Sequence, residues 1–242
     1  MLADNRFRNS KAYYDEHKEE QKTKNTVPMR QIAGLLSEEM LALDPMKNTI
    51  PTKMVSRIRR DTRFTKDKSL YRENIWIMFM RDKHQWRGYP CMWFEVTPTS
   101  YSMGIGIYGT EPGLMAVYRK ALKEKSEEFI RAAIKCENAG ANFYSEPYKR
   151  GFADCPMGLE EYYNSKDICF ITGSGNLEDL ENDKIIGILR KVYKEFAPMY
   201  KFLLEISDDY FSKEELQWIT HVSKAAVTSE AMLWVTKAIR LI

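Results

Sequence analysis

The sequence predicts an α+β protein in which an antiparallel sheet is covered by helices from both ends of the chain. Residues 55–108 are rich in aromatic and β-branched residues and are divided by short connections, which is typical of an antiparallel meander. On both sides of this block, apolar residues recur at three- and four-residue intervals, as in amphipathic helices. Because no long repeat or Pro-rich linker divides the chain, we expect one domain over residues 5–207 and a helical extension over residues 208–242.

Two helices are predicted before the sheet. The first runs over residues 10–24 and is capped by Asn9, a residue type whose side chain accepts hydrogen bonds from the first helical turn. The second runs over residues 29–43, because Pro28 suits the first helical position and Pro45 cannot continue a helix.

The β-rich block is predicted to contain four strands, over residues 55–64, 74–81, 89–97 and 101–108. The second of these strands is apolar on both faces. This pattern favours a central position in the sheet with cover on each side.

The C-terminal half is predicted to contain a helix over residues 112–137, a strand over 168–172, a helix over 183–207 that is interrupted near Pro198, and a last helix over 212–240. This last helix has an apolar side that favours docking on the domain or pairing in a homodimer. Its members are Leu216, Ile219, Val222, Ala226, Met232, Leu233 and Ile239.

The composition, with 44% hydrophobic and 29% charged residues, excludes collagen-like, mucin-like and wholly disordered proteins. The first eight residues carry charge and no apolar run, so we predict no secretory signal. The longest strongly apolar run, residues 75–80, is far too short for a membrane helix. We therefore expect a cytoplasmic protein with no membrane contact.

Motifs for cofactors and metals are weak or missing in the sequence. The stretch Gly104-x-Gly106-x-x-Gly109 resembles a dinucleotide-binding loop, but it lies among consecutive strands rather than in a strand-helix-strand unit. The cysteines form no Cys-x-x-Cys pair, and the three histidines are scattered. We therefore expect no cofactor, no metal and reduced thiols at Cys91, Cys136, Cys155 and Cys169.

Positive charge is concentrated in one part of the chain. The whole chain has 37 basic and 34 acidic residues, a net charge of +3. Residues 53–87 alone contain eleven Lys and Arg but only four Asp and Glu, a local net charge of +7. The remainder therefore carries a net charge of −4. Such crowding must be solvated, neutralised by ion pairs or matched by an anionic ligand.

The densest part of this basic segment is a candidate anion site. If residues 57–63 are extended, alternate side chains share one face, and three arginines there exceed the charge of Asp61. Guanidinium groups suit phosphate and carboxylate, so we predict a pocket for a small phosphorylated or carboxylated metabolite. In this hypothesis Asp61 orients the arginines, Tyr71 donates a hydrogen bond, and the positive lining is provided by Arg57, Arg60, Arg63 and Lys68.

Three other interpretations of the same segment stay open. The arginines and Asp61 are also compatible with a structural ion-pair network at the edge of the sheet. Binding of single-stranded nucleic acid by residues 53–87, with Trp86 as a stacking platform, is a second alternative. A hydrolase or transferase that uses Asp61 or Asp67 is a third, supported only by the polar cluster itself.

The pattern Arg57-x-x-Arg60-Asp61-x-Arg63-Phe64-x-x-Asp67-Lys68-x-x-Tyr71 resembles the signature of the bacterial domain-of-unknown-function family 2461. Upstream, Asn9-x-x-x-Tyr13-Tyr14-x-x-x-Lys18 is similar to the opening of that family, with Tyr13 in place of its usual Trp. A second departure is Ser69-Leu70, where the family commonly has Thr-Pro. The resemblance implies a single bacterial α+β domain over most of the chain, and it implies no particular reaction.

Overall fold

The computed structural model describes residues 2–64, 66, 68–82, 85–181 and 183–226, and it describes side chains as far as residue 213, apart from residue 6. The predicted site residue Asp67 lies outside the described residues. So do Met232, Leu233 and Ile239 of the predicted C-terminal helix.

The N-terminal arm is a chain of helices: α1 (Leu2–Phe7), α2 (Lys11–Gln21), a π-helical turn (Lys22–Thr26), α3 (Val27–Leu35), α4 (Ser37–Leu43) and α5 (Pro51–Met54). The predicted cap was wrong by one residue, because the Ser10 side chain accepts the hydrogen bond from the Tyr13 N–H. The two predicted helices also follow each other without a break. A π-helical turn, which is wider than an α-helical turn, directly precedes α3. This turn accommodates Pro28, which has no N–H to donate to the helix.

The sheet has five antiparallel strands: β1 (Ile75–Phe79), β2 (Pro90–Val96), β3 (Tyr101–Ile107), β4 (Asn142–Phe143) and β5 (Ile168–Ser174). Their order is β1-β2-β3-β5-β4, with β1 at one edge. This confirms the predicted α+β class and the antiparallel meander. The short strand β4 was not predicted.

Two predictions about the sheet were wrong. Residues 55–64 do not form a strand, because only Val55 makes a bridge to β1, and Pro51 begins a helical turn just before it. The strand β1 was expected at the centre but lies at the edge, where residues 47–48 and 55–56 cover its outer backbone. A partial cover of this kind protects an edge strand from pairing with another chain.

The C-terminal half contains α6 (Pro112–Glu124), α7 (Ser126–Asn138), α8 (Glu160–Tyr163), a 3-10 turn (Leu177–Leu180) and α9 (Lys184–Ala226). The predicted helix 112–137 is therefore two helices, which separate at Lys125, a residue with non-helical angles of φ −129° and ψ 36°. The predicted break near Pro198 and the separate helix from Ser212 were wrong. Helix α9 continues through both positions. Around the exposed Pro198, the completely buried Phe196, Met199 and Tyr200 hold the helix in the core.

Helices cover only one face of the sheet. Helix α9 crosses β2 and β3, α3 packs on β1, and α6 and α7 pack against α9. The covered face is formed by side chains such as Ile77, Phe94 and Ile105, which are completely buried. One continuous core joins this face to the helices, so the described residues form the single domain that the sequence predicts. Within the described part, no helix has both the length and the apolar character needed to cross a membrane.

A buried carboxylate connects the N-terminal arm to the sheet and to α9. Asp44, only 1% exposed, accepts hydrogen bonds from Arg81 Nε at 2.8 Å and from the Tyr200 hydroxyl at 3.0 Å. The Met46 N–H also donates to it, at 3.0 Å. Burial acts to raise the pKa of Asp44, but these hydrogen bonds and the nearby positive charges outweigh it and lower the pKa.

Lys47 lies beside this carboxylate, 5% exposed, with its Nζ 3.4 Å from the centre of the Tyr200 ring. Among the described residues its Nζ has no hydrogen-bond partner. Burial lowers the pKa of Lys47 from 10.5 to about 7, although Asp44 acts in the opposite direction. The charged ammonium form of Lys47 therefore lowers the stability of the folded state.

We predict that Asp44→Ala lowers the free energy of unfolding by about 3–5 kcal/mol, because it leaves the largely buried Arg81 side chain with only the more distant carboxylate of Asp208. The measurement is urea denaturation followed by circular dichroism. The matched control is Glu39→Ala, which removes an exposed ion pair to Arg190 that also joins the N-terminal arm to α9. That control should cost no more than about 1 kcal/mol. Equal costs for the two variants would contradict the assignment.

We predict that Lys47 makes the protein more stable as the pH rises above about 7. Between the folded pKa of about 7 and the ordinary value of 10.5, the unfolded state binds the extra proton, so raising the pH favours the folded state. The variant Lys47→Met should therefore be most stabilised, relative to the natural protein, at about pH 6, and its advantage should shrink toward about pH 9.5. Urea denaturation across this range is the test, and a constant difference would refute it.

Candidate functional site

The basic segment folds as a loop that is closed at its base by backbone hydrogen bonds. The Arg60 N–H donates to Leu70 O at 2.8 Å, and the Arg72 N–H donates to Ile58 O at 2.8 Å. Beyond this short pairing, the described residues of the loop form no strand, so the alternation expected for residues 57–63 does not place their side chains on a sheet face. The structure therefore does not bring all the predicted arginines to one point.

Three of the predicted residues, Arg57, Arg63 and Lys68, are exposed and do not line the cleft described below. Arg63 makes a two-pronged contact with Asp61, Nε to Oδ1 at 2.9 Å and Nη2 to Oδ2 at 2.6 Å, and both side chains are exposed. Lys68 Nζ donates to Thr62 O at 2.8 Å. Arg57 is exposed. The hydrogen bonds from Arg63 lower the pKa of Asp61 to about 2, so this carboxylate is ionised and is a poor proton donor.

Asn9 holds the return side of this loop. Its Oδ1 accepts from the Leu70 N–H at 2.6 Å and from the Tyr71 N–H at 3.2 Å, and its Nδ2 donates to Tyr71 O at 3.0 Å and Asn5 O at 2.8 Å. Asn5 in turn donates to Arg72 O at 2.8 Å. The N-terminal arm thereby fixes the backbone of residues 70–72.

Tyr71 belongs to the wall of the site rather than to a free surface. It is 6% exposed, and its ring stacks on Tyr14 with 4.3 Å between centroids. Burial raises the pKa of its hydroxyl, with a smaller contribution from Asp15. Tyr71 is therefore a neutral phenol near neutral pH.

A polar cleft of about 510 Å³ opens next to these residues. Two of the predicted residues, Arg60 and Tyr71, line it together with Arg72, which was not among the predicted site residues. Its other walls are formed by Asn9, Ser69, Glu73, Asn74 and the turn 97–99 between β2 and β3. The site is thus built from four separate parts of the chain.

Arg72 is the electrostatic centre of this cleft. Its guanidinium lies over the Trp76 ring, 4.5 Å from the ring centre. Burial, and then the positive charge of Arg60, lower the pKa of Arg72, and no carboxylate among the described residues forms an ion pair with it. Arg72, Asn74 and Trp76 occupy every second position in the sequence. Such positions share one face of an extended segment, so this spacing could have predicted that the three side chains lie together.

The uncovered face of the sheet carries a second cavity, of about 540 Å³. It is mostly apolar and is lined by residues that include Trp76, Met78, Met80, Trp86, Cys91, Trp93, Glu95, Asp167 and Cys169. We call this cavity the tryptophan trough. Gly104 shapes it, because a Cβ atom there would lie 2.1 Å from Cζ2 of Trp93. The glycine therefore lets the indole lie directly on β3.

Trp86, the predicted stacking residue, lies at one end of the trough. One face of its ring already stacks on Tyr108, with 5.0 Å between centroids. The neighbouring His84 lies outside the described residues. Trp86 thus forms part of an aromatic pair rather than an isolated platform.

The thiols in the trough are poorly suited to nucleophilic chemistry. Burial raises the pKa of Cys91 to about 11 and that of Cys169 to about 12, so both are protonated near neutral pH. Across the part of the chain that the structure describes, no three His, Cys, Asp or Glu side chains are grouped as metal ligands.

Comparison with known proteins gives one match. The family model described as a conserved hypothetical protein, DUF2461, matches residues 1–202. No curated protein and no solved structure matches the chain. The match extends over the N-terminal arm, the sheet and the first part of α9, and it therefore includes every element that lines the cleft.

We predict that Asn9→Ala loosens the cleft wall. It removes the acceptor of two backbone N–H groups and should lower the free energy of unfolding by about 1–3 kcal/mol. Hydrogen exchange at the Leu70 and Tyr71 amides should become faster. The control, Ser10→Ala, removes the adjacent helix cap at a cost of about 1 kcal/mol and should leave those two amides protected. Unchanged exchange in Asn9→Ala would disprove this role.

Proposed function

This chain belongs to the DUF2461 family of conserved hypothetical proteins, and from its own site we propose that it binds a small phosphate- or carboxylate-bearing ligand in the cleft beside Arg72. The observation that carries the proposal is the uncompensated guanidinium of Arg72. Among the described residues it has a stacking partner but no carboxylate. An anion is the group that would complete its interactions.

The surroundings of Arg72 support binding of an anion. Arg60 lies close enough for its charge to lower the pKa of Arg72, so both cations act on the same region of the cleft. Arg72 is half-buried, which reduces the screening of its charge by water. A planar fork of N–H donors that is partly removed from water is well suited to a phosphate or carboxylate.

The cleft is also pre-organised. The Asn9 amide and Asn5 hold the backbone of residues 70–72, and the Asn74 side chain is held by Glu95 at 2.6 Å. On the opposite wall, the Thr97 hydroxyl contacts the Ser100 hydroxyl at 2.9 Å, which orders the turn. Ligand binding therefore requires little additional ordering of the protein, which favours affinity.

The alternatives from the sequence gain less support. The nucleic-acid interpretation used Trp86 as its stacking platform, and one face of Trp86 is already covered by Tyr108. The hydrolase or transferase interpretation needs a titratable acid or base, and the pKa of Asp61 is about 2. Asp67, the other candidate, lies outside the described residues. Binding, rather than a named reaction, is therefore the function we propose.

We predict that Arg72→Gln weakens the binding of inorganic pyrophosphate or succinate by at least about tenfold, because it removes a charged hydrogen-bond donor from the cleft. Isothermal titration calorimetry measures the affinity. The matched control is Arg63→Gln, which removes the same charge from the same loop but outside the cleft. It should change the affinity by less than about twofold.

Two results would overturn the proposal. One is the absence of binding by the natural protein to either probe. The other is an equal loss of affinity in Arg72→Gln and Arg63→Gln, because that would indicate diffuse attraction by the basic segment. Steeply salt-dependent binding of single-stranded oligonucleotides, weakened equally by both variants, would instead support the nucleic-acid alternative.

A further inference from the structure

The polar cleft and the tryptophan trough share one wall. The guanidinium of Arg72, in the cleft, lies 4.5 Å from the ring centre of Trp76, in the trough. The Asn74 amide, also in the cleft, donates to Glu95 Oε1 in the trough at 2.6 Å. The two cavities are therefore neighbours that meet at this wall, and a ligand that occupies both would lie across it.

The trough has the floor that a flat ring system requires. Its centre is the Trp93 indole, which is half-buried and rests on the bare backbone of Gly104. Met78 faces Trp93 across β1 and β2, and it adds a polarizable apolar wall. None of the residues that line the trough belongs to a described helix. Aromatic rings stack favourably on such an indole surface.

The charged residues of the two cavities favour one orientation of a ligand that occupies both. The lining of the polar cleft includes two cations, Arg60 and Arg72, and one acidic residue, Glu73, whereas the lining of the trough includes Glu95 and Asp167 and no Lys or Arg. An anionic group is attracted to the first cavity and repelled by the second. An uncharged ring system has the opposite preference, because it gains from leaving water on the apolar floor.

We infer that the ligand of this protein is a planar aromatic molecule that carries a phosphate or carboxylate group, with the charged group at Arg72 and the ring system on Trp93. This inference rests on the proposed function and specifies its ligand class. The cavities, of about 510 and about 540 Å³, are each within the usual range for small-molecule sites.

The test compares matched probes that differ only by an aromatic ring system. Inorganic phosphate is paired with 1-naphthyl phosphate, and acetate is paired with 1-naphthoate, and each affinity is measured by isothermal titration calorimetry. In at least one pair the aromatic member should bind about tenfold more tightly or better, as expected for stacking on an indole. The pair with the larger gain identifies the charged group as phosphate or carboxylate.

Variants test whether the gain in affinity of the aromatic probes arises in the trough. Trp93→Leu should remove the gain while leaving the affinity for inorganic phosphate or acetate unchanged, and Trp93→Phe should keep most of it because an aromatic floor remains. Met78→Glu should also remove the gain, by placing negative charge in the trough, and it serves if Trp93→Leu does not fold. The control is Tyr144→Leu, since Tyr144 is 68% exposed and lines neither cavity.

The possible failures separate the two proposals. If inorganic phosphate or acetate binds and depends on Arg72, but neither aromatic probe binds more tightly, the inference is wrong and the proposed function stands. If no probe binds, or if every probe that binds does so without dependence on Arg72, both are overturned. If only the aromatic probes bind without dependence on Arg72, the inference alone is wrong. If the aromatic gain is absent and Met78→Glu dissociates a dimer in analytical ultracentrifugation, the trough is an interface between two copies, and the inference is wrong.

Discussion

The buried Asp44 carboxylate is the interaction on which the arrangement of this protein depends. It receives Arg81 from the segment after β1, Tyr200 from α9 and the Met46 N–H from its own loop. A carboxylate in a low-dielectric interior is tolerated only with such partners, so these three parts of the chain must meet at one place. Their meeting holds the N-terminal arm and α9 on the same side of the sheet.

The open face of the sheet follows from that arrangement. Because α3 and α9 pack on the face that contains Ile77 and Phe94, the opposite face keeps Trp76 and Trp93 half-buried. The N-terminal arm then makes a second long-range tie, since Asn9 binds the backbone of residues 70–71, which lie 61 and 62 positions away in sequence. This tie places Arg72 at the boundary between the polar cleft and the trough.

The sequence was informative where local pattern decides structure. Four of the five strands and most of the helices lie in the predicted regions, because apolar periodicity and β-branched or aromatic content act over neighbouring residues. It was misleading for residues 55–64, whose composition resembles a strand but which follow the helical turn at Pro51. The continuous course of α9 through Pro198 was also missed, since burial of that helix outweighs the local cost of proline.

The boundary at residue 207, the homodimer through the C-terminal helix and the cytoplasmic location stay predictions.

For the site, the amino-acid pattern alone was enough to locate the region and to give the sign of its charge. Residues 53–87, in which arginine and lysine are in excess, include the two cations of the cleft, Arg60 and Arg72. The predicted residue Tyr71 lies in the cleft wall. Which of the cations meet depends on the folded chain, because Arg63 binds Asp61 and Lys68 binds Thr62 O. The fold also brings Asn9 to Tyr71 and leaves the Trp93 face uncovered. The physical reason is that charge and periodicity are properties of a segment, whereas a cleft depends on which side chains distant elements leave without partners.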